Sequence, residues 1–449
     1  MRKYAVSVIV VSLIALLGFL FITTYFQPVD SLIRPPKPEG ENLSIQLAFE
    51  ESIDGDYVLK QPISGEYRSA YIFADLTGDN DNEVIVFYSM SNELGIVHMN
   101  VLDKIEDNWV SISDFQSVYN DIQEINFADF NGDGIKEVIV GWTVNGESYA
   151  RLMNIFQFSV DMDIVISPIF TDYYSMFGVY DIDSDGNDDI ISIKHATVGN
   201  VAEYTASLLK YKENNIHAES TFNLDSSLSS VAAINFDSTE NENIKRVFVD
   251  GYKIDGGMIT DCFLWKSRDK VFERYNIAGS SVSSISSRTK SVLCSDINND
   301  GTIEVPSEEY LPDITDDGAA NLGQSLINWV SINENSAEII DRHIILSQYG
   351  YRFRFSENWL GNVAVTNDAD KGILTFWSVK NIDGITVKNK KLFSVMTITE
   401  IDLDTIGEIS FTYSQLMQLK GKFYYSKIYD AGVDYGITKK EIKQRIIAG

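Results

Sequence analysis

Histidine, cysteine and proline are the scarce residues of this 449-residue chain, at four, two and eight copies. The histidines, His98, His195, His217 and His343, share no spacing, and no H-E-x-x-H, G-x-S-x-G or glycine-rich phosphate loop occurs. The signatures of zinc hydrolases, serine hydrolases and nucleotide-dependent enzymes are therefore missing, each histidine reads as an ordinary surface or satisfied residue, and the chain is read as non-catalytic. Cys262 and Cys294 are too few for a disulfide framework and leave open either one bridge or two buried thiols. Few prolines together with 44% hydrophobic residues exclude a mainly disordered chain and allow two or three folded domains. Basic residues are scarce in the middle: residues 43–340 hold 17 Lys/Arg against 50 Asp/Glu, while 341–449 hold 15 against 12. A region that acidic excludes binding to nucleic-acid phosphates.

Tyr4 to Phe26 is an uncharged run of 23 residues behind Arg2 and Lys3. As a helix it would span roughly 35 Å, enough for a bilayer core, and its basic flank would stay in the cytoplasm. Residues 1–27 are thus expected to be a signal-anchor transmembrane helix, single-pass, with the bulk of the chain extracytoplasmic. The alternative is a cleaved signal peptide and a secreted product, although Thr23-Thr24-Tyr25-Phe26-Gln27 offers no small-x-small site. No cysteine follows the run, which excludes a lipoprotein anchor. Residues 28–42, with Pro35-Pro36-Lys37-Pro38, read as a stiff linker.

What the chain has in abundance is one acidic pattern. Asp129-Phe-Asn131-Gly-Asp133-Gly134-Ile-Lys-Glu137 leads straight into an apolar run, and relatives begin at Asp75, Asp181, Asn235 and Asp296, at intervals of 54, 52, 54 and 61 residues. Repeats of that length are single supersecondary units that stack because none buries its apolar face alone. Each reads as a strand, the acidic loop, a second strand and further alternating strands, with no amphipathic helix of twelve or more residues in the region. Four strands in about 54 residues is the size of one propeller blade. Leu43–Pro62 is expected to add an outer strand to the last blade. The Ser-rich run Gly279–Ser291 reads as a polar surface loop that lengthens one interval.

Calcium needs six to eight oxygens, and alternating short acidic side chains on a tight loop supply them, with a glycine for the turn and a later carboxylate to close the shell. The second loop offers Asp129, Asn131, Asp133, the Ile135 carbonyl and Glu137. The third offers Asp181, Asp183, Asp185, the Asn187 carbonyl and Asp189; the fifth offers Asp296, Asn298, Asp300, the Thr302 carbonyl and Glu304. In the first, Asp75, Thr77, Asp79 and Glu83 remain, but Asn80 stands at the glycine position. The fourth keeps Asn235, Asp237 and Thr239 and ends in Asn243, so it is expected to have lost its ion. A lone Asp-Gly turn is an ordinary turn; five oxygens in alternation exceed what a turn requires. The expected cofactor is structural Ca2+ at three loops, with the first as a fourth candidate.

These D-x-[DN]-x-DG-x-x-[DE] runs at 129–140, 181–193 and 296–305 resemble the FG-GAP and VCBS-type repeats of integrin α-chains and of bacterial surface proteins. The resemblance implies a mainly β fold, a calcium-loop β-propeller over 43–340. The chain has no Gly-Ala-Pro tripeptide, a single Phe-Gly at Phe177-Gly178, and five signatures where integrins have seven blades, so five or six blades are expected.

Residues 341–449 change character and read as a small α+β domain. Its strands are expected at Tyr351–Phe355, Ile373–Trp377, Leu392–Ile398 and Phe423–Ile428. A helix is expected over Thr438–Ile447, opened by the capping box Thr438-x-x-Glu441. Asp402–Glu408 reads as a turn. The order YGYRFRFSENW, KKLFSVMTI, KGKFYYSKI is similar to PsbP/Mog1-like domains. Trp359, Trp377 and Tyr424-Tyr425 read as core aromatics or, alternatively, as a partner site.

The sequence thus points to a membrane-anchored binding, adhesion or scaffold protein of a bacterial cell surface. Its partners would be the membrane, through the N-terminal helix, and a protein or glycan ligand whose identity the residues do not give. The alternatives are a carbohydrate-active lyase or hydrolase on the same scaffold, and a structural spacer for another membrane protein.

Overall fold

The computed structural model describes residues 40–93, 95–144, 151–158, 167–198, 201–237, 245–312, 324–333, 336–382, 385–399 and 412–448. The Tyr4–Phe26 run, most of the linker and the Asp402–Glu408 turn lie outside them. Among the described residues no helix is long and apolar enough to cross a membrane. The fold is mainly β and built from antiparallel sheets. The described residues fall into two compact units, one from residues 40–62 and 68–121, the other from 63–67, 122–158 and 167–448.

The smaller unit holds the first sheet: strands Tyr71–Ala74, Glu83–Met90, His98–Ile105 and Asn108–Gln116, with Tyr57–Leu59 also paired to Glu83–Met90. Ahead of them lies a twelve-residue helix, α1 (Glu41–Ser52). The outer strand expected over Leu43–Pro62 is therefore corrected: half of that segment is helical, and only Tyr57–Leu59 is a strand, paired to Glu83–Met90 of the first sheet. Helix α1 escapes a periodicity search because only Ile45 and Phe49, one turn apart, are buried. Phe49 meets Tyr57 and Tyr88 edge-on, each with ring centroids 5.1 Å apart. Burying such a ring stabilises by about 1.5–3 kcal/mol, enough to hold a helix that leaves Leu43 and Leu47 exposed.

The larger unit continues the same plan. The second sheet is Asp121–Ala128, Glu137–Thr143, Arg151–Phe156 and Phe170–Tyr174; the third is Met176–Tyr180, Asp189–Val198, Val201–Lys212 and Asn215–Asn223; the fourth is Leu228–Phe236, Arg246–Lys253, Met258–Lys266 and Val271–Arg274. In each, strands pair in chain order, as alternating apolar positions separated by short turns require. Consecutive sheets share cores. Ile139 and Ile155 of the second sheet pack with Ile190 and Leu209 of the third; Ile191 and Leu208 of the third pack with Val247 and Phe263 of the fourth. The inner strands approach closely: a Cβ on Gly178 would come within 2.9 Å of the Phe236 ring, which stacks on Tyr180.

The Ser-rich run is only in part a surface loop. It forms the short helix α2 (Val282–Ile285), and Ser286 and Arg288 behind it are buried. Arg288 donates to Asp250 Oδ1 at 2.7 Å, to the Val292 carbonyl at 2.7 Å and to the Ser286 carbonyl at 2.8 Å. Asp250 Oδ2 accepts the Cys294 N–H at 2.8 Å. A buried guanidinium with matched acceptors draws the segment inward.

The fifth sheet comprises Val305–Tyr310, Ser325–Asn333, Ser336–Leu346, Tyr351–Arg354 and Ile446–Ala448, so the strand running through residue 341 pairs onward with Tyr351–Arg354. The sixth comprises Val363–Asp368, Ile373–Ile382, Ile385–Thr399, Lys422–Ile428 and Ser414–Leu419. Thr438 caps the last helix, α4 (Lys439–Arg445), its hydroxyl accepting the Glu441 N–H at 3.2 Å, and α3 (Asp430–Asp434) precedes it. The expected helix over Thr438–Ile447 is corrected at its end, since Ile446 and Ile447 leave it to pair with Phe353 and Arg352.

Candidate metal centres in the acidic loops

Four of the five loops share one hydrogen-bond frame. The position-one aspartate accepts the backbone N–H of position six: Asn80 to Asp75 at 3.1 Å, Gly134 to Asp129 at 3.0 Å, Gly186 to Asp181 at 3.1 Å and Gly301 to Asp296 at 2.8 Å. The position-nine carboxylate turns back to accept the N–H of position two: Leu76 to Glu83 at 2.6 Å, Phe130 to Glu137 at 2.9 Å, Ile182 to Asp189 at 3.1 Å and Ile297 to Glu304 at 3.0 Å. Position six is left-handed throughout, with φ of 71° at Asn80, 87° at Gly134, 90° at Gly186 and 86° at Gly301. Asparagine is one of the few residues that tolerates this region, so the first loop keeps the frame despite its missing glycine.

In the second and fifth loops an asparagine amide at position three meets the carboxylates. Asn131 Nδ2 lies 2.9 Å from Asp133 Oδ2 and 3.0 Å from Glu137 Oε1, and Asn298 Nδ2 is 2.8 Å from Asp300 Oδ2. Glu83, Glu137 and Glu304 are buried. Burial, and then the neighbouring charges of Asp103, Asp79 and Asp75, push Glu83 up to about 7 against the pull of the Leu76 N–H. Burial with Asp133 and Asp129 likewise pushes Glu137 up to about 7, and burial with Asp300 and Asp296 raises Glu304. Glu304 Oε1 is a buried acceptor without a hydrogen-bond partner, a state that costs about 1–3 kcal/mol when nothing satisfies it. Crowded carboxylates with unused lone pairs are what a hard cation neutralises; among the described loop residues such lone pairs are found on Glu304 Oε1 in the fifth loop and on Asp183 Oδ1 and Asp189 Oδ1 in the third. Such an ion would supply charge neutralisation and cross-linking of the loop.

The third loop is furnished differently. Single oxygens of Asp181, Asp183 and Asp189 lie within 4.8 Å of one another, close enough for one ion. Yet Lys210 Nζ stands 2.7 Å from Asp183 Oδ2, 2.9 Å from Asp185 Oδ2 and 3.2 Å from Asp189 Oδ1. Lys210 comes from the third strand of the same sheet. It follows a β-bulge at Leu208/Leu209, which turns the chain and re-aims the side chain that follows. Burial opposes its charge, but hydrogen bonds to Asp183 and Asp185 and the charge of Asp189 outweigh that and raise its pKa. In the fourth repeat, Asp237 is buried against Arg246 Nε, and its other oxygen accepts the Ile303 N–H at 3.0 Å. Thr239 and Asn243 lie outside the described residues.

Adjacent loops also touch. Asp129 accepts the Asp188 N–H at 2.8 Å and returns its own N–H to Asp188 Oδ2 at 3.0 Å. The second and third loops are thereby joined end to end.

Among the remaining candidates, His98 lies 3.2 Å from both Glu93 and Asp114, and Asp114 also receives the Tyr88 hydroxyl. His343 is buried, accepting Trp329 Nε1–H at 2.7 Å and lying 3.1 Å from Asp341. Neither arrangement includes a paired nucleophile. Trp359, Tyr424 and Tyr425 are buried core residues, whereas Trp377 is half-buried with Lys391 Nζ at 5.1 Å from its ring centroid. Cys262 and Cys294 are buried free thiols in the core shared by the fourth and fifth sheets, and burial holds both well above the usual thiol range. Lys210 and Arg246 were invisible in the loop motif because both lie outside it. Their only signal is a basic residue inside an apolar strand run.

Compared with known proteins, the chain matches no family model and no curated protein is significantly similar to it.

Proposed function

We propose that the chain is a calcium-stabilised β-propeller, tethered to the membrane by its N-terminal segment, that presents a non-catalytic binding or scaffold surface outside the cytoplasm. The observation carrying this reading is the fourfold recurrence of one hydrogen-bond frame around acidic loops, each leading directly into a buried strand. Face-to-face packing of consecutive four-stranded sheets supports blades arranged in series. The acidic loops join neighbouring strands and carry no nucleophile and base pair, which suits structural ions in a rigid frame whose exposed loops meet a protein or glycan ligand.

The test is calcium analysis with thermal unfolding of the purified full chain in detergent. Retained calcium and a midpoint that falls in chelator are expected. No retained calcium and the same midpoint in both conditions would remove the coordination reading.

A further inference from the structure

We infer that the third loop is neutralised by the protein's own cation, the ammonium of Lys210, and that a carboxylate at position three is the mark of such a self-neutralised loop. Position three is Thr77 in the first loop, Asn131 in the second and Asn298 in the fifth. Among the described residues, no lysine or arginine lies within 4.0 Å of a loop carboxylate in these three. Position three is Asp183 in the third loop and Asp237 in the fourth, and each has a cation on it: Lys210 at 2.7 Å and Arg246. The two features occur together or not at all.

The strand register explains how each loop receives its partner. Ile190 pairs with Leu209, which sets Lys210 opposite Asp189 at position nine. The same step beyond Val84–Leu102 sets Asp103 opposite Glu83, beyond Val138–Phe156 sets Gln157 opposite Glu137, and beyond Val305–Val330 sets Ser331 opposite Glu304. Bulges at Val101/Leu102 and Trp329/Val330 match the one at Leu208/Leu209. One position on the second strand after each of these four loops thus faces it. An acid there, Asp103, deepens the negative charge of the first loop; neutral Gln157 and Ser331 leave the second and fifth as they are; Lys210 cancels one charge in the third.

The ammonium touches carboxylates at positions three, five and nine, which are the side chains a calcium ion would draw upon. A divalent ion about 2.3–2.6 Å from those oxygens would press against Nζ, and two cations do not share that space. Lys210 is tethered, its head only 10% exposed, and its stem is anchored behind buried Leu208 and Leu209. The third loop therefore keeps its shape without metal.

This assignment rests on the calcium reading only for what the other loops hold, and the experiment separates the two. Calcium bound per chain is counted by equilibrium dialysis for the full-length protein and for the Asp133→Asn, Asp183→Asn and Lys210→Gln variants. Asp133→Asn is expected to lose one ion, Asp183→Asn none, and Lys210→Gln to gain one. Loss of an ion in Asp183→Asn, or no gain in a folded Lys210→Gln, overturns the assignment. If the unmodified chain binds no calcium at all, the calcium reading fails while Lys210 remains testable. A double-mutant cycle on thermal midpoints in chelator must then show coupling between Lys210→Gln and Asp183→Asn, and additive shifts would overturn the assignment. Should Lys210→Gln not fold, the ion count of Asp183→Asn, or failing any calcium the slow exchange of the Lys210 ammonium protons by NMR, decides it.

Discussion

The second loop, Asp129–Glu137, and the third, Asp181–Asp189, have the same backbone frame and opposite means of balancing charge. Both turn through a left-handed glycine and both fold the position-nine acid back onto the N–H of position two. In the second, the side chain that Asp133 and Glu137 share is the neutral Asn131 amide; in the third, Asp183, Asp185 and Asp189 share an ammonium. Loop sequence therefore sets geometry, while a residue two strands along the chain sets which cation completes it. If the other loops hold calcium as proposed, a repeat would lose its dependence on metal by one change at that cross-strand position, with an aspartate at position three to receive it.

The largest expected effect comes from the fourth repeat, where self-neutralisation is deepest. Arg246→Met leaves Asp237 buried without its cation, and breaking a buried pair in this way costs about 3–5 kcal/mol. The loss, measured by denaturant unfolding, should be the same in calcium and in chelator. If calcium restored the stability, the fourth repeat would belong with the second. Next comes Asp133→Asn, which removes a ligand from the second loop. A ligand present at 100 times its dissociation constant stabilises by about 2.7 kcal/mol, so this variant should lose about that much in calcium and little in chelator. Equal destabilisation in both media would mean that Asp133 only shapes the turn.

A pH series sharpens the contrast without any substitution. In chelator, Glu83 and Glu137 titrate near 7 when folded and near 4.5 when unfolded, and Glu304 is raised in the same sense. The folded state then holds protons that the unfolded state has released, so stability falls as pH rises through that window. His343 acts oppositely: burial lowers its pKa, and below about 6.5 the unfolded chain takes up the proton first. Asp189 and Asp261 are raised as well, to about 7 and about 6 by burial, so the raised carboxylates outnumber the one imidazole and predict a higher thermal midpoint at pH 5.5 than at 7.5 in chelator. In calcium the order should reverse, because the ion requires ionised ligands. A chelator midpoint that drops on acidification would contradict the buried-acid account. The smallest effect belongs to Asn80→Gly: the position is already left-handed at φ 71°, and glycine should change stability by less than about 1 kcal/mol, as read from the same unfolding curves.

Much of the loop architecture was legible in the sequence because its determinants are local. Positions one, five, six and nine of each loop lie within nine residues, and the strands around them alternate strongly. Lys210 was not legible, since it sits 21 residues beyond Asp189 and reaches the loop only through sheet register and a bulge. Asp183 and Asp237 were visible, yet an extra acid at position three reads as an extra ligand until its partner is seen. Helix α1 was missed because two buried positions, Ile45 and Phe49, make too faint a period. The Ser-rich run misled through its composition, since the buried charge of Arg288 and Asp250 outweighs the polarity of its serines. Ile446 and Ile447 leave the helical pattern because an open sheet edge at Tyr351–Phe353 offers them backbone partners.

The most direct measurement is an anomalous-difference map from a crystal grown in calcium. The account predicts peaks bounded by Asp75 and Glu83, by Asp129 and Glu137 and by Asp296 and Glu304, with none between Asp183 and Asp189, where Lys210 Nζ should keep its place. A peak in the third loop with Lys210 displaced, or no peak in any loop, would contradict it.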